Sequence, residues 1–319
     1  EAAVMKKVKK YIRENNWLWA AAGAFLLWLI MGLTSGRLNV ESFLSNAYIA
    51  SFLVILSFGQ MLVVTSGRGA IDLSIPGVLT LMAFISMSIM DGEDKNVLPA
   101  ILAVIAVAAV IGILNGLMVI YLQIPATMAM NYILTTAALL INKNFSVFGT
   151  APMLDKLIKA RIFGVQLIIF LVILLAVLFW FLLNRTSYGK SLVTIGQNRE
   201  AAGLAGIKVN KVEILTYVFS SVLAAIGGVL IAARVGNAIL GMGDDYTLET
   251  VASIVVGGTL ISGGKANVPG TLAGCLFLGL IVTAMQIMGF SVGAQNIAKG
   301  ALIIVVLLLG AGSKETGGK

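Results

Sequence analysis

Apolar runs long enough to cross a lipid bilayer recur along almost the whole of this 319-residue chain. A transmembrane helix needs about 20 mainly apolar residues, because each residue adds about 1.5 Å along the helix and the hydrocarbon core is about 30 Å thick. The runs cover residues 17–33, 44–65, 74–90, 97–122, 127–142, 164–183, 212–233, 251–261, 268–290 and 296–309. They predict an all-α integral membrane protein with about ten transmembrane helices in a single domain, residues 1–319.

The composition agrees with a lipid environment and excludes several kinds of site. Hydrophobic residues make up 59% of the chain and charged residues only 11%, whereas a soluble domain carries about 25% charged residues. There is no His, and Cys275 is the single Cys, so catalytic His groups, thiolate metal clusters and intrachain disulfides are excluded. The net charge of +8 does not indicate nucleic-acid binding, because the basic residues are scattered between apolar runs. We expect no cofactor, no metal and no catalytic residue.

The distribution of basic residues predicts the orientation in the membrane. With a cytoplasmic N-terminus, 14 of the 22 Lys and Arg residues fall in cytoplasmic segments and seven in external ones. Lys and Arg favour the cytoplasmic side, so we expect both termini and the basic segment 184–211 to be cytoplasmic, in a bacterial inner membrane. The basic residues before Trp17 resemble the start of a signal peptide, but no small-residue cleavage site follows before Gly36. We therefore expect a retained first helix.

Two Gly-rich segments interrupt the apolar pattern, SGRGAIDLSIPG at 66–77 and GGTLISGGK at 257–265. Interrupted segments at corresponding places in two halves of a transporter mark the transport pathway. Each break precedes a helix that starts with Pro, which is the pattern of an inverted repeat with broken or re-entrant segments. The candidate pathway residues are polar positions in or beside these breaks and inside the spans: Asp72, Ser74, Asn115, Asn131 and Thr259.

Asp72 has three interpretations. It caps the helix that begins at Ser74, it pairs with Arg68 four residues earlier, or it lines the solute path, because an acidic residue at membrane depth is costly unless paired or hydrated. For Asn115 and Asn131 the default interpretation is a hydrogen bond between helices.

The sequence Gly189-Lys190-Ser191 resembles the end of a phosphate-binding loop. The full loop requires a Gly at position 184, which holds Asn184, and a preceding strand, whereas an apolar helix is expected there. ATP hydrolysis by this route is therefore excluded. A transporter of this kind that is driven by ATP needs a separate ATPase subunit.

Several motifs together resemble the ribose-type ABC permeases, a family that also includes xylose, arabinose and galactose permeases. They are RTSYGK at 185–190, GQNREAAGLAGI at 196–207, IDLS at 71–74, VVGGT at 255–259, GGK at 263–265 and GTLAG at 270–274. Residues 68–70 and 76–77 depart from the family pattern, and 131–159 matches it poorly, which leaves ribose itself in doubt.

The resemblance implies a non-catalytic permease subunit of an ATP-driven importer for a small polar solute, most simply a monosaccharide. Its implied partners are ABC ATPase subunits docked at 184–211, an extracytoplasmic solute-binding protein and a second permease copy or paralogue. In this interpretation a short helix starting at Glu200 and ending at Gly206 seats in the ATPase. The residues implied in coupling are Arg185, Tyr188, Gly189, Gly196, Asn198, Glu200, Ala201, Ala202 and Gly206.

Other interpretations stay open at this point. Segment 184–211 taken alone also fits an ordinary basic loop that anchors the topology. Within the superfamily, a nucleoside or branched-chain amino-acid permease is the alternative. Outside it, an ion-coupled secondary transporter or channel would place ionisable residues inside its spans, where this chain offers little beyond Asp72 and Lys299. A membrane enzyme lacks the necessary constellation of catalytic groups.

Overall fold

The computed structural model describes residues 17–36, 39–122, 126–144 and 149–312. Within them the chain forms thirteen α-helices, numbered here α1 to α13. They are Trp17–Ser35, Val40–Thr65, Ile75–Met90, Val97–Leu122, Ala126–Asn144, Pro152–Lys159, Leu167–Arg185, Ser187–Gln197, Arg199–Leu204, Val209–Val235, Tyr246–Val256, Val268–Ile287 and Val292–Gly312. A 3-10 turn, Asp94–Asn96, precedes α4. A short hairpin of two antiparallel strands, β1 (Arg161–Ile162) and β2 (Val165–Gln166), precedes α7.

The all-α membrane architecture expected from the sequence is confirmed. Among the described residues, five helices are long and apolar enough to cross a bilayer, and α1, α3 and α11 are shorter apolar helices. The count of about ten crossings and the inverted repeat stay predictions. The basic residues expected to orient the N-terminus, Lys6, Lys7, Lys9, Lys10 and Arg13, lie outside the described residues, as do Lys314 and Lys319.

The structure differs from the sequence-based expectation at two places. The span predicted over 251–261 lies five residues earlier, at Tyr246–Val256, because the backbone leaves the helix at Gly257 and Gly258 has a φ of +86°. The segment predicted as a loop at 184–211 is mostly helical, since α8, α9 and the start of α10 fill it.

The centre of the bundle is built around α10, which packs against α2, α3 and α4. Glycines allow the backbones to approach closely. A Cβ atom at Gly112 of α4 would lie 2.5 Å from Val218 Cα, and one at Gly59 of α2 would lie 2.9 Å from Ser220 Cα. Helix α3 lies inside this assembly, with 13 of its 16 residues buried. The first Gly-rich break therefore leads directly into the core.

The two ends of α2 identify the two ends of the bundle. At its N-terminal end, Glu41 forms an ion pair of 3.5 Å with Arg161 of the hairpin. At its C-terminal end, Thr65 O accepts a hydrogen bond of 3.0 Å from Gly264 N. The 26 residues of α2 span about 39 Å at 1.5 Å per residue, which is enough to cross a bilayer. We call these the hairpin end and the Thr65 end.

Candidate functional site

Helix α9 is a six-residue helix that is capped at both ends, and Gly206 ends it as the spacing predicted. Asn198 is its N-cap, and its side-chain Oδ1 accepts a hydrogen bond of 2.9 Å from Ala201 N. At the other end Ile207 N donates to Ala202 O, and Gly206 N donates to Gly203 O. This is the Schellman arrangement, which requires a left-handed residue, and Gly206 supplies it with a φ of +83°. The short helix predicted between Glu200 and Gly206 is therefore present.

A half-buried ion pair fixes α9 to the first turns of α10. The Arg199 guanidinium donates from Nε to Glu213 Oε1 at 2.9 Å and from Nη2 to Glu213 Oε2 at 3.1 Å. It also donates to Asn210 Oδ1 at 3.0 Å. Glu213 is only 7% exposed, and its hydrogen bonds raise the pKa of Arg199 above the ordinary value. A bidentate pair of this kind fixes both the position and the angle of α9 relative to α10.

The outward face of α9 is exposed and partly apolar. Glu200, Ala201 and Gly203 are exposed, and Leu204 is 92% exposed. By contrast, Ala202 is fully buried against the rest of the chain. A single exposed apolar side chain is ordinary on a protein surface, so the exposure of Leu204 shows which face of α9 is open without identifying a partner. The sequence did not single out Leu204, because one leucine in a short helix carries no signal of the direction in which it points.

Helix α8 seats this element on the bundle. Tyr188 donates to or accepts from Thr216 Oγ1 at 3.0 Å, and burial raises the pKa of its hydroxyl. A Cβ atom at Gly189 would overlap Leu182 O of α7. Arg185 at the end of α7 is exposed and lies 6.0 Å from the ring centroid of Trp180. Tyr188 and Gly189 position α8, whereas Arg185 contacts Trp180 within α7, and none of the three joins the exposed face of α9.

The incomplete phosphate-loop motif also lies in α8. Lys190 N donates to Thr186 O, and Gly189 N lies 3.2 Å from Thr186 Oγ1. These N–H groups have internal partners, so they are not arranged as a cradle for phosphate oxygens.

Three of the five pathway candidates form one buried network. Asp72 Oδ1 accepts from Ser74 N at 2.9 Å and from Ser74 Oγ at 2.6 Å, and Oδ2 accepts from Ser220 Oγ at 2.7 Å. Asn115 Nδ2 then donates to Ser74 Oγ at 2.8 Å. The Gln60 amide reaches both the backbone N and O of Asp72 at 3.2 Å. The network joins α2, the first break, α4 and α10.

The pairing of Asp72 with Arg68 is wrong. Arg68 is exposed and has a φ of +60°, so residues 68–72 do not form the helical turn that would bring the two side chains together. The Asp72 carboxylate, in a residue that is 2% exposed, is instead satisfied by neutral donors. The N-cap of α3 is Ser74, and within the described chain Asp72 accepts from Ser74 N and from no N–H group of the helix itself, so the predicted capping of α3 by Asp72 is not observed.

The other two candidates lie apart from this network. Asn131 Oδ1 accepts from Gly77 N at 2.7 Å and so ties α5 to the first turn of α3, the interhelical role expected by default. Thr259 lies in the second break, where its backbone N donates to Ile254 O. Within the described residues, Thr259 Oγ1 and Asn115 Oδ1 are buried and have no hydrogen-bond partner.

A second buried charged group contains Lys299, which the sequence singled out, and Glu249, which it did not. Lys299 of α13 forms an ion pair with Glu249 of α11 at 2.5 Å and lies 4.0 Å from Asp245. The side chains of Lys299 and Glu249 are 10% and 15% exposed. Glu249 was overlooked because the predicted span began at Val251, which placed it outside the membrane. The ion pair between α11 and α13 depends on tertiary packing and leaves no spacing signal.

A family model described as "Branched-chain amino acid transport system / permease component" matches residues 42–311. The match covers most of the chain and includes both breaks, α9 and the buried network. The chain belongs to this family. The departures noted at 68–70 and 76–77 are therefore variations within a family member.

Individual relatives cover the permease almost end to end. It is 29% identical over 292 residues to the ribose import permease of Escherichia coli K12, covering 89% of this chain and 90% of the relative. It is 30% identical over 306 residues to the ribose import permease of Bacillus subtilis 168, covering 90% of each. The galactose/methyl galactoside import permease of Escherichia coli K12 is 29% identical over 299 residues, covering 85% and 86%. No solved structure gives a significant match to the chain.

Proposed function

We propose that this chain is the membrane-spanning, non-catalytic subunit of an ATP-driven importer for a monosaccharide. The observation that carries the proposal is α9, a short capped helix that is rigidly paired to α10 and presents Leu204 outward. The relatives that align over almost their whole length are ribose and galactose import permeases, which favours a sugar over an amino acid or a nucleoside.

In this proposal, ATP is bound and hydrolysed by partner subunits. They dock at the Thr65 end, where α8 and α9 lie, and this end is cytoplasmic. A groove beside α9, lined by Tyr188, Gly206, Lys208 and Lys211 among others, opens next to the exposed face. Its basic rim favours an acidic partner surface. Because the residues between Arg185 and Gly206 lie at this end, we expect them to couple ATP hydrolysis in the partner subunits to transport through the spans.

The transport pathway is proposed to run along the two Gly-rich breaks, at a junction with a second permease copy or paralogue. Two of the seven buried side-chain polar atoms that have no partner within the described residues support this location: Thr259 Oγ1 lies in the second break, and Asn115 Oδ1 belongs to the side chain that bonds Ser74 in the first break. Buried polar atoms without partners are expensive to keep. An extracytoplasmic binding protein would deliver the solute at the hairpin end. Ten crossings, both termini inside and an inverted repeat belong to the same proposal.

The test is uptake by the permease reconstituted in vesicles with its ATPase and binding protein, using radiolabelled D-ribose and D-galactose. Uptake of one sugar that requires ATP and both partners supports the proposal, and the purified chain alone should hydrolyse no ATP. Uptake by the chain alone, driven by a proton or sodium gradient, would instead establish a secondary transporter.

A further inference from the structure

Three separate segments of the chain meet backbone to backbone at the Thr65 end. The first is the end of α2 with the start of the first break, Thr65 to Gly67. The second is the end of α8, Gly196 and Gln197. The third is the end of the second break, Gly263 and Gly264. We call this contact the glycine junction.

The junction has no room for side chains at its glycines. A Cβ atom at Gly196 would overlap both Thr65 O and Gly264 N, and one at Gly263 would overlap Gly67 Cα. A Cβ atom at Gly67 would lie 3.0 Å from Gly196 Cα. Since the neighbours are backbone atoms, no side-chain rotation would relieve these overlaps.

Hydrogen bonds connect the same three segments. Gly264 N donates to Thr65 O at 3.0 Å, and Gln197 Nε2 lies 3.4 Å from Gly264 O. Gly67 and Gly263 have φ values of +91° and +90°, so their backbone geometry is one that other residues adopt only with strain. Contact without intervening side chains makes the junction stiff, because no rotamer change absorbs a displacement.

Each segment leads from the junction to a different functional element. Gln197 precedes Asn198, the N-cap of α9. The first break leads from Gly67 to Asp72 and its buried network. The second break leads back from Gly263 through Thr259 to α11.

We infer that the glycine junction transmits movement of α9 simultaneously to both breaks of the transport pathway, with Gly196 and Gly263 as the positioning residues. The inference rests on the proposed function. Here the segment next to the ATPase-docking helix touches the two interrupted segments directly, so the three move together or separate together.

The test uses the complex of the permease with its ATPase and binding protein in vesicles. The variants are Gly196→Ala and Gly263→Ala. Gly279→Ala is the control for Gly196, since it is a helical glycine whose nearest neighbour lies at an ordinary 3.6 Å. Gly236→Ala is the control for Gly263, since it has a φ of +84° and nothing within 4 Å. The measured quantity is sugar transported per ATP hydrolysed, with the amount of co-purified ATPase recorded in parallel.

We expect both junction variants to retain the ATPase, because the exposed face of α9 is unchanged, and to transport at least fivefold less sugar per ATP. The controls should keep the wild-type ratio. A misfolded permease would form less complex, so sugar transport and ATP hydrolysis would fall together. The complex that does form would then transport the wild-type amount of sugar per ATP. Junction variants that assemble and keep the wild-type ratio would overturn the inference.

If neither junction variant assembles, Gln197→Ala decides the question. It is an exposed residue whose replacement removes the bond to Gly264 O and the side-chain contact with Gly264, and leaves the backbone contacts of the junction in place. A ratio lowered about twofold or more supports the junction, and a wild-type ratio refutes it. If the wild-type complex transports no monosaccharide with ATP, the proposed function fails and the inference fails with it. If the wild-type complex transports sugar with ATP and the variants do not show the expected lower ratio, only the inference about the junction fails.

Discussion

The substitution Gly206→Val isolates the role of the α9 turn in docking. The φ of +83° at Gly206 is strained for any residue with a Cβ atom, and a β-branched side chain is especially unfavourable. Nothing lies within 4 Å of the position that a Cβ atom would take. A Cβ atom at this position therefore meets no other part of the described chain, and the expected effect of the substitution comes from the backbone conformation.

The expected magnitude follows from that strain. A non-Gly residue held in the left-handed region costs about 1–3 kcal/mol, which is a factor of about 5–150 in an equilibrium at about 1.4 kcal/mol per tenfold. A six-residue helix has little intrinsic stability, so this cost falls on the capped conformation of α9. Affinity for the ATPase falls in proportion to the fraction of molecules that keep the docking conformation.

The assay is the affinity of detergent-purified permease for its ATPase, together with solute-stimulated ATP hydrolysis in vesicles. Gly206→Asn is the matched control, because Asn tolerates the left-handed conformation better than other non-Gly residues. We expect Val to weaken binding by about tenfold or more and Asn to retain most of it. Equal binding and transport by the two variants would refute the requirement for this turn.

Three further outcomes are expected. Arg199→Met should lower the unfolding free energy by about 1–3 kcal/mol, because it leaves the buried Glu213 carboxylate without its charged partner. Adding Glu213→Leu should recover much of this loss when both variants are measured by thermal unfolding in detergent. If the double variant recovers nothing, loss of the ion pair is not the cause. Asp72→Ala should destabilise the protein by at least about 2 kcal/mol, since several buried donors lose their acceptor. Asp72→Asn keeps an acceptor oxygen and should cost less. If both variants lost the same unfolding free energy, the hydrogen-bond network around Asp72 would not be what stabilises this region. Thr194→Cys in a Cys275→Ala background should react with a membrane-impermeant thiol reagent only after the cells are permeabilised; labelling of intact cells would place α8 outside.

Local features of the coupling element were predictable from the sequence, and contacts between distant segments were not. The spacing from Glu200 to Gly206 indicated a short helix with a left-handed end, because a cap depends on residues a few positions apart. The same kind of signal located both breaks, since glycines and polar residues interrupt an apolar pattern wherever they occur. The helical character of 187–197 was missed because its apolar residues are few and the basic residues around it suggested a loop.

The pair of Glu249 and Lys299 and the glycine junction show why the rest was not predictable. Glu249 and Lys299 are 50 positions apart and meet only because α11 packs against α13. In the sequence, Gly196 and Gly263 are two of 35 glycines, and nothing distinguishes a glycine that touches another backbone from one that faces lipid. The exposure of Leu204 likewise depends on how α9 is fixed by Arg199, which no local pattern encodes.

The measurement that tests the central claim most directly is photo-crosslinking from position 204. A photoreactive amino acid replaces Leu204 in one variant and, as a control, Phe163 in another. Phe163 is fully exposed and belongs to the hairpin at the opposite end of the bundle. Irradiation of membranes that contain the complete transporter should yield an adduct with the ATPase from position 204 and none from position 163. Absence of the ATPase adduct from position 204, in membranes where sugar uptake is active, would contradict α9 as the docking element.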